Sequence, residues 1–178
     1  MYNQKIIDVL NRKESTSEPQ QKKKRVQREG GLQIQCVRWF RLQYPAFAHL
    51  LYHAKNEAGH SSKAVAIQAA AGVVPGVPDL VLALPALRDG NMPYLSLGIE
   101  LKFGKTNNQS PAQREYQRFY EAAGHCYRVI RSLAEFVVCV NAYMTQVPQA
   151  TKDAVKAVYH SDEETANNKA ILNRIIHK

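Results

Sequence analysis

Cysteine is sparse in this sequence. Its 178 residues hold three, Cys36, Cys126 and Cys139, with no pair at C-x-x-C spacing. An odd, scattered set argues against a disulfide framework or a zinc knuckle and suits small buried side chains in a reducing compartment. Long apolar runs are missing too. No stretch reaches the roughly 20 residues that a membrane span needs, and no apolar leader opens the chain. The expectation is a soluble cytoplasmic protein with no membrane contact. There is no internal repeat. Acidic residues are in short supply, 15 against 24 Lys and Arg, for a formal net charge of +9. An excess of that size suits a polyanionic partner, nucleic acid first, although a soluble basic protein without one has the same balance.

What is present is hydrophobic content of 45%, enough for one domain with a real core plus extensions. Residues 2–13 read as a short helix with Ile6, Ile7, Val9 and Leu10 on its apolar side, too short to stand alone. Residues 14–24 read as a polar linker. Lys22, Lys23, Lys24, Arg25 and Arg28 form a basic block, either a solvated charge run or a phosphate-binding arm. From Glu29 the spacing of Leu32, Cys36, Trp39 and Phe40 predicts a helix, with Pro45 just beyond its end. Residues 47–54 read as a strand and 62–71 as an Ala-rich helix closing at Gly72. Ser110-Pro111-Ala112-Gln113 carries three helix-start signals, and that helix ends at Gly124. A strand over 125–132, a helix from Leu133 to about Tyr143, a break at Pro148 and one or two helices over 151–178 complete the chain.

The chain is organised around Pro75 to Lys102. Two prolines and a glycine fix the approach to Asp79, which opens the apolar run Leu80 to Leu84. A turn-rich stretch of hairpin type follows, and then an alternating strand. Leu95, Leu97, Ile99 and Leu101 are expected on one face; Tyr94, Ser96, Gly98, Glu100 and Lys102 on the other. The order of elements predicts an α/β fold with a mixed sheet flanked by helices.

Glu100 and Lys102, side by side on one face with Asp79 on a neighbouring strand, can hold a divalent metal against a phosphate. Phosphodiester hydrolysis needs an activated water and neutralised phosphoryl charge, and Mg²⁺ or Mn²⁺ prefers oxygen donors. Asp79 and Glu100 are then the main ligands, with the carbonyl of Leu101 a third. Lys102 sits near the attacking water or the phosphate. The competing readings are a turn role for Asp79 and a solvent-facing pair at Glu100 and Lys102. Two charges on a sheet face covered by helices are costly, which favours a function. Gln113 stands where a capping box needs it, and Glu29 where it suits a helix dipole. His49, His53, His60 and His125 form no ligand cluster. Trp39 reads as core.

The ordered set PGVPDL (75–80), IELK (99–102), SPAQ (110–113), Gly124 and VIRS (129–132) resembles the VRR-NUC family, the virus-type replication–repair nucleases of the PD-(D/E)xK superfamily. E-x-x-L-Q at Glu29 to Gln33 and H-x-x-N-E at His53 to Glu57 also look like family features. The resemblance covers about residues 29–140. It implies a restriction-endonuclease-like core over residues 29–144, preceded by an N-terminal helix and basic linker (1–28) and followed by a helical extension (145–178). It implies that Glu29 reaches the site and binds metal directly or through water, and that Gln113 touches the water or Lys102. Asn56, Lys105 and the basic block from Lys22 to Arg25 are candidate DNA contacts. The implied activity is metal-dependent, structure-selective DNA cleavage. A four-way junction resolvase acting as a homodimer, in a bacterial or phage-infected cell, is the expectation. The alternatives are cleavage of flaps, nicks or duplex within a larger machine, and a DNA-binding protein without catalysis.

Overall fold

The computed structural model describes residues 29–54, 62–88, 92–104 and 107–176. The expected helix over 2–13, the block Lys22, Lys23, Lys24 and Arg25, Asn56 and Glu57, and Lys105 lie outside the described residues. Helix α1 covers residues 29–43. A 3₁₀ turn, Pro45–Leu50, leads into strand β1, Leu51–His53, and helix α2 is Ser62–Ala70. Strand β2 is Leu80–Leu82; β3, Ala86–Arg88, and β4, Met92–Tyr94, form a hairpin; β5 is Leu97–Leu101. Helix α3, Pro111–Ala122, crosses over to β6, Cys126–Ile130, before α4, Leu133–Gln146, and the long α5, Gln149–Ile176.

The main sheet has the order β1-β2-β5-β6, antiparallel through the first three strands and parallel between β5 and β6. Side chains alternate across it, so each row of register partners lies on one face. Leu51, Leu80, Leu82, Leu97, Ile99, Leu101, Cys126 and Ile130 point into the core, where α1 brings Leu32, Cys36 and Phe40 and α4 brings Phe136, Val140 and Tyr143. Burying each such aliphatic or aromatic side chain contributes roughly 1.5–3 kcal/mol, which orders strands as short as three residues. Val155 of α5 also packs on this cluster.

The opposite face carries Tyr52, Val81, Gly98, Glu100 and Tyr127, and α3 lies over it. Gly98 permits the close approach: a Cβ there would stand 2.9 Å from the Tyr120 ring and 3.0 Å from Pro78 Cγ. Because both faces are covered, all five residues of β5 are buried. The cysteines are free, with Cys36 and Cys126 buried and Cys139 half-buried.

Two expectations need correcting. Residues 47–54 are not one strand. Pro45 opens a 3₁₀ turn whose Phe47 plugs the core, and only Leu51–His53 joins the sheet. Nor does the alternation run unbroken from Tyr94. The chain bends at Leu95, which is 55% exposed, so Tyr94 belongs to the hairpin and β5 begins at Leu97. The Leu95 N–H instead bonds the Gly124 carbonyl at 3.0 Å.

Candidate active site

Asp79 stands one residue before β2, where the ladder to β5 stops at the pair Leu80 and Ile99. Its Oδ2 accepts the Leu101 N–H at 2.7 Å. Continuing the register would bring Pro78 opposite Leu101. The N–H and carbonyl of a strand residue leave by the same edge, and proline has no N–H to give that carbonyl. The Pro78-Asp79 pair thus ends the ladder and supplies a carboxylate at the same point. The Asp79 carbonyl is held too, 2.7 Å from His53 Nδ1.

Glu100 is 1% exposed and sits on the α3 side of β5. Lys102 Nζ lies 2.6 Å from its Oε1, and the Tyr127 hydroxyl donates to its Oε2 at 3.4 Å. The Gln113 amide also donates to Oε1. Gln113 has a second task. Its Oε1 accepts the Ser110 N–H at 2.8 Å while its own N–H bonds the Ser110 hydroxyl at 3.2 Å, a complete capping box. The side chain therefore starts α3 and holds Glu100, reaching Glu100 rather than Lys102.

Burial, and after it the negative charge of Asp79, pushes the Glu100 carboxyl up to about 7 against the opposing pull of Lys102. Burial raises Asp79 as well, opposed by the Leu101 N–H and the Lys102 charge. A buried acid and a half-buried one thus share one ammonium, a deficit of positive charge that a divalent cation would fill. Among the described residues no three His, Cys, Asp or Glu side chains form a metal cage. Two carboxylates with a backbone carbonyl suit Mg²⁺ or Mn²⁺, since Mg²⁺ keeps several waters and takes only one or two carboxylates from a protein.

Glu29 stands at the edge of this group. Its Oε1 accepts the Phe103 N–H at 3.3 Å and the Asn107 amide, so it anchors the loop after Lys102. Its charge still reaches Asp79, whose protonation it favours. Arg131 holds the same loop from the other side, donating to the carbonyls of Gly104 at 2.7 Å and Asn107 at 2.8 Å.

Asp79, Glu100, Lys102 and Gln113 are thus brought together, with the Leu101 backbone between them and Glu29 alongside. Nothing in the sequence alone singles out Tyr127 and Asn107, whereas Arg131 lies in the VIRS motif (129–132) without a role assigned to it. The alternation of Cys126–Ile130 could place Tyr127 on a face, but only the parallel register puts it opposite Gly98 and near Glu100. Gln113→Ala is expected to cost about 1 kcal/mol by opening the capping box, read as a fall of about 2–4 °C in melting temperature. Gln113→Glu, which keeps a cap acceptor, should melt close to the wild type below pH 5.

Among solved structures, one described as "VRR_NUC domain protein" matches with a TM-score of 0.55 and 22% sequence identity, covering 67% of this chain and 89% of that chain. No protein-family model and no curated protein matches the sequence. The chain has a VRR-NUC-like fold: a mixed sheet flanked by helices. No helix among the described residues is long and apolar enough to cross a membrane.

Proposed function

We infer that the protein is a Mg²⁺- or Mn²⁺-dependent endonuclease acting on branched DNA, a four-way junction resolvase working as a homodimer. The observation that carries this reading is the buried group on the α3 face of the sheet. Asp79 and Glu100 approach from adjoining β segments, with the Lys102 ammonium 2.6 Å from Glu100. The VRR-NUC-like fold and the net charge of +9 support the same substrate class.

Bound at Asp79, Glu100 and the Leu101 carbonyl, Mg²⁺ or Mn²⁺ would supply a Lewis acid for the phosphoryl oxygen and lower the pKa of a water. The protein's own groups do the rest. Lys102 presents an ammonium to the charge that grows on the phosphate, and its bond to Glu100 fixes where that ammonium sits. Gln113 and Tyr127 orient the Glu100 carboxylate. Glu29 and Arg131 hold the loop that follows Lys102. A unit of about residues 29–144 carries this chemistry and reads the shape and charge of the backbone rather than base sequence. Paired symmetric cuts need two sites related by a two-fold axis, and the terminal extensions are the candidate contact between the two copies.

A panel of four-way junctions, flaps, nicks and duplex, incubated with Mg²⁺ or Mn²⁺, tests the activity, with Asp79→Ala as the inactive control. Paired cuts in the junction are expected. Salt-sensitive binding with no cleavage of any substrate would leave a DNA-binding protein without catalysis. Cleavage confined to flaps, nicks or duplex would replace the junction by that substrate. For the dimer, wild-type chains are mixed with Asp79→Ala chains. Mixed species should cut only one strand of a junction pair; paired cutting at the full wild-type level would remove the need for two sites.

A further inference from the structure

A groove of about 650 Å³ runs between α1 and β1, along the β1 edge of the sheet. Its wall on α1 includes Ile34, Arg38, Arg41 and Leu42, which follow one another at helical spacing as a single stripe. Its far side includes Tyr52 and His53 of β1. Three of these apolar side chains lie open to solvent: Ile34 is 69%, Leu42 74% and Tyr52 50% exposed. Exposed apolar groups gathered in one concavity point to a bound partner.

The charge of the lining indicates which partner. Arg38, Arg41, His49 and His53 line the groove, and among the described residues no acidic side chain does. A groove of similar size between β6 and α4, by contrast, contains both Arg128 and Glu135. Among the described residues, neither Arg38 nor Arg41 belongs to an ion pair. Aromatic and apolar platforms set between cationic side chains are what single-stranded nucleic acid requires, because bases stack while phosphates pair. The groove also leads to the candidate active site. His53, at its end, contacts the Asp79 carbonyl at 2.7 Å, and Tyr52 lies on the sheet face that carries Glu100.

We propose that the groove between α1 and β1 binds an unpaired strand of the DNA substrate, with a base against Tyr52 and phosphates on Arg38 and Arg41. This rests on the nuclease reading for the identity of the polyanion. It adds that the branched substrate presents an unpaired stretch next to the cut bond, as a junction does where its arms open at the branch point.

The test measures binding of the full chain, in Ca²⁺, to a fork with an oligo-dT arm and to a blunt duplex of the same sequence. Arg38→Ala/Arg41→Ala should weaken fork binding about tenfold or more and duplex binding by less than about threefold. Tyr52→Leu, which retains an apolar side chain, should weaken fork binding several-fold and leave duplex binding unchanged. An oligo-dT arm carrying 5-iodouracil, crosslinked to the wild-type chain, should map to residues 33–53, and this readout does not depend on any variant folding. Equal losses on fork and duplex, no loss on either, or crosslinks elsewhere would overturn the assignment; no loss on either would leave the groove to a peptide partner. The two readings fail separately. If the wild type cuts nothing but fork binding still depends on these residues, the nuclease reading falls and the groove assignment stands. If the wild type cuts and the variants bind forks normally, the reverse holds.

Discussion

Lys102→Ala is expected to cut branched DNA about 10²–10³-fold more slowly than the wild type while binding it within about twofold. The Lys102 side chain is only 10% exposed and is paired with Glu100, so it is poorly placed to act as a surface phosphate contact. It is also one of 24 Lys and Arg residues. Its loss should therefore barely change the electrostatic attraction that dominates DNA binding. The loss should be felt where charge develops on the reacting phosphate. Removing one partner of a buried pair can unfold a protein when the other stays charged. Glu100, already pushed up to about 7, can take a proton instead, which limits that cost. Single-turnover cleavage and fluorescence anisotropy in Ca²⁺ separate the two quantities. If affinity and rate fell together, Lys102 would be a binding residue and its place in the chemistry would be lost.

Gly76→Ala should produce the largest loss of stability of any single methyl addition at the glycines described. Gly76 has φ +87°, and a Cβ there would lie 2.3 Å from the Ala112 carbonyl oxygen and 2.5 Å from its carbon. Both obstacles are backbone, so no side-chain rotation relieves them. The left-handed conformation costs about 1–3 kcal/mol and the overlap about 1–3 kcal/mol more, for a drop of roughly 10 °C in melting temperature. Gly72 supplies the control. It has φ +88°, but a methyl group added there would meet nothing within 4 Å, so Gly72→Ala carries the backbone cost alone. Thermal melts of the two variants side by side give the cost of the contact between the Pro75–Gly76 turn and the start of α3. Equal melting temperatures would mean that this contact contributes nothing.

The elements that could be read from sequence are those whose cause is local. The start of α3 needs only Ser110, Pro111 and Gln113, within a span of four positions whose hydrogen bonds close on one another. Glu100 and Lys102 share a face because a strand alternates, whatever its neighbours are. Residues 47–54 look like a strand because their apolar content is right, but the proline ahead of them favours a 3₁₀ turn and Phe47 is drawn into the core. Leu95 fits an alternating pattern by coincidence, since the chain bends there and its N–H goes to the Gly124 carbonyl, 29 positions on, rather than to a sheet partner. Contacts that depend on register over long separations cannot be read locally. Tyr127 meets Glu100 across 27 positions and Asn107 meets Glu29 across 78. The groove between α1 and β1 is of the same kind, since Arg38 and Tyr52 become neighbours only when β1 takes its place at the sheet edge.

Gln113 couples two events that most folds keep apart. One amide closes the first turn of α3 with its oxygen and grips Glu100 with its nitrogen. Fraying of that turn withdraws the amide and leaves the carboxylate to Lys102 and Tyr127 alone. Heat inactivation can then begin at a helix end, well below the temperature at which the sheet melts, and cooling restores it without refolding the core.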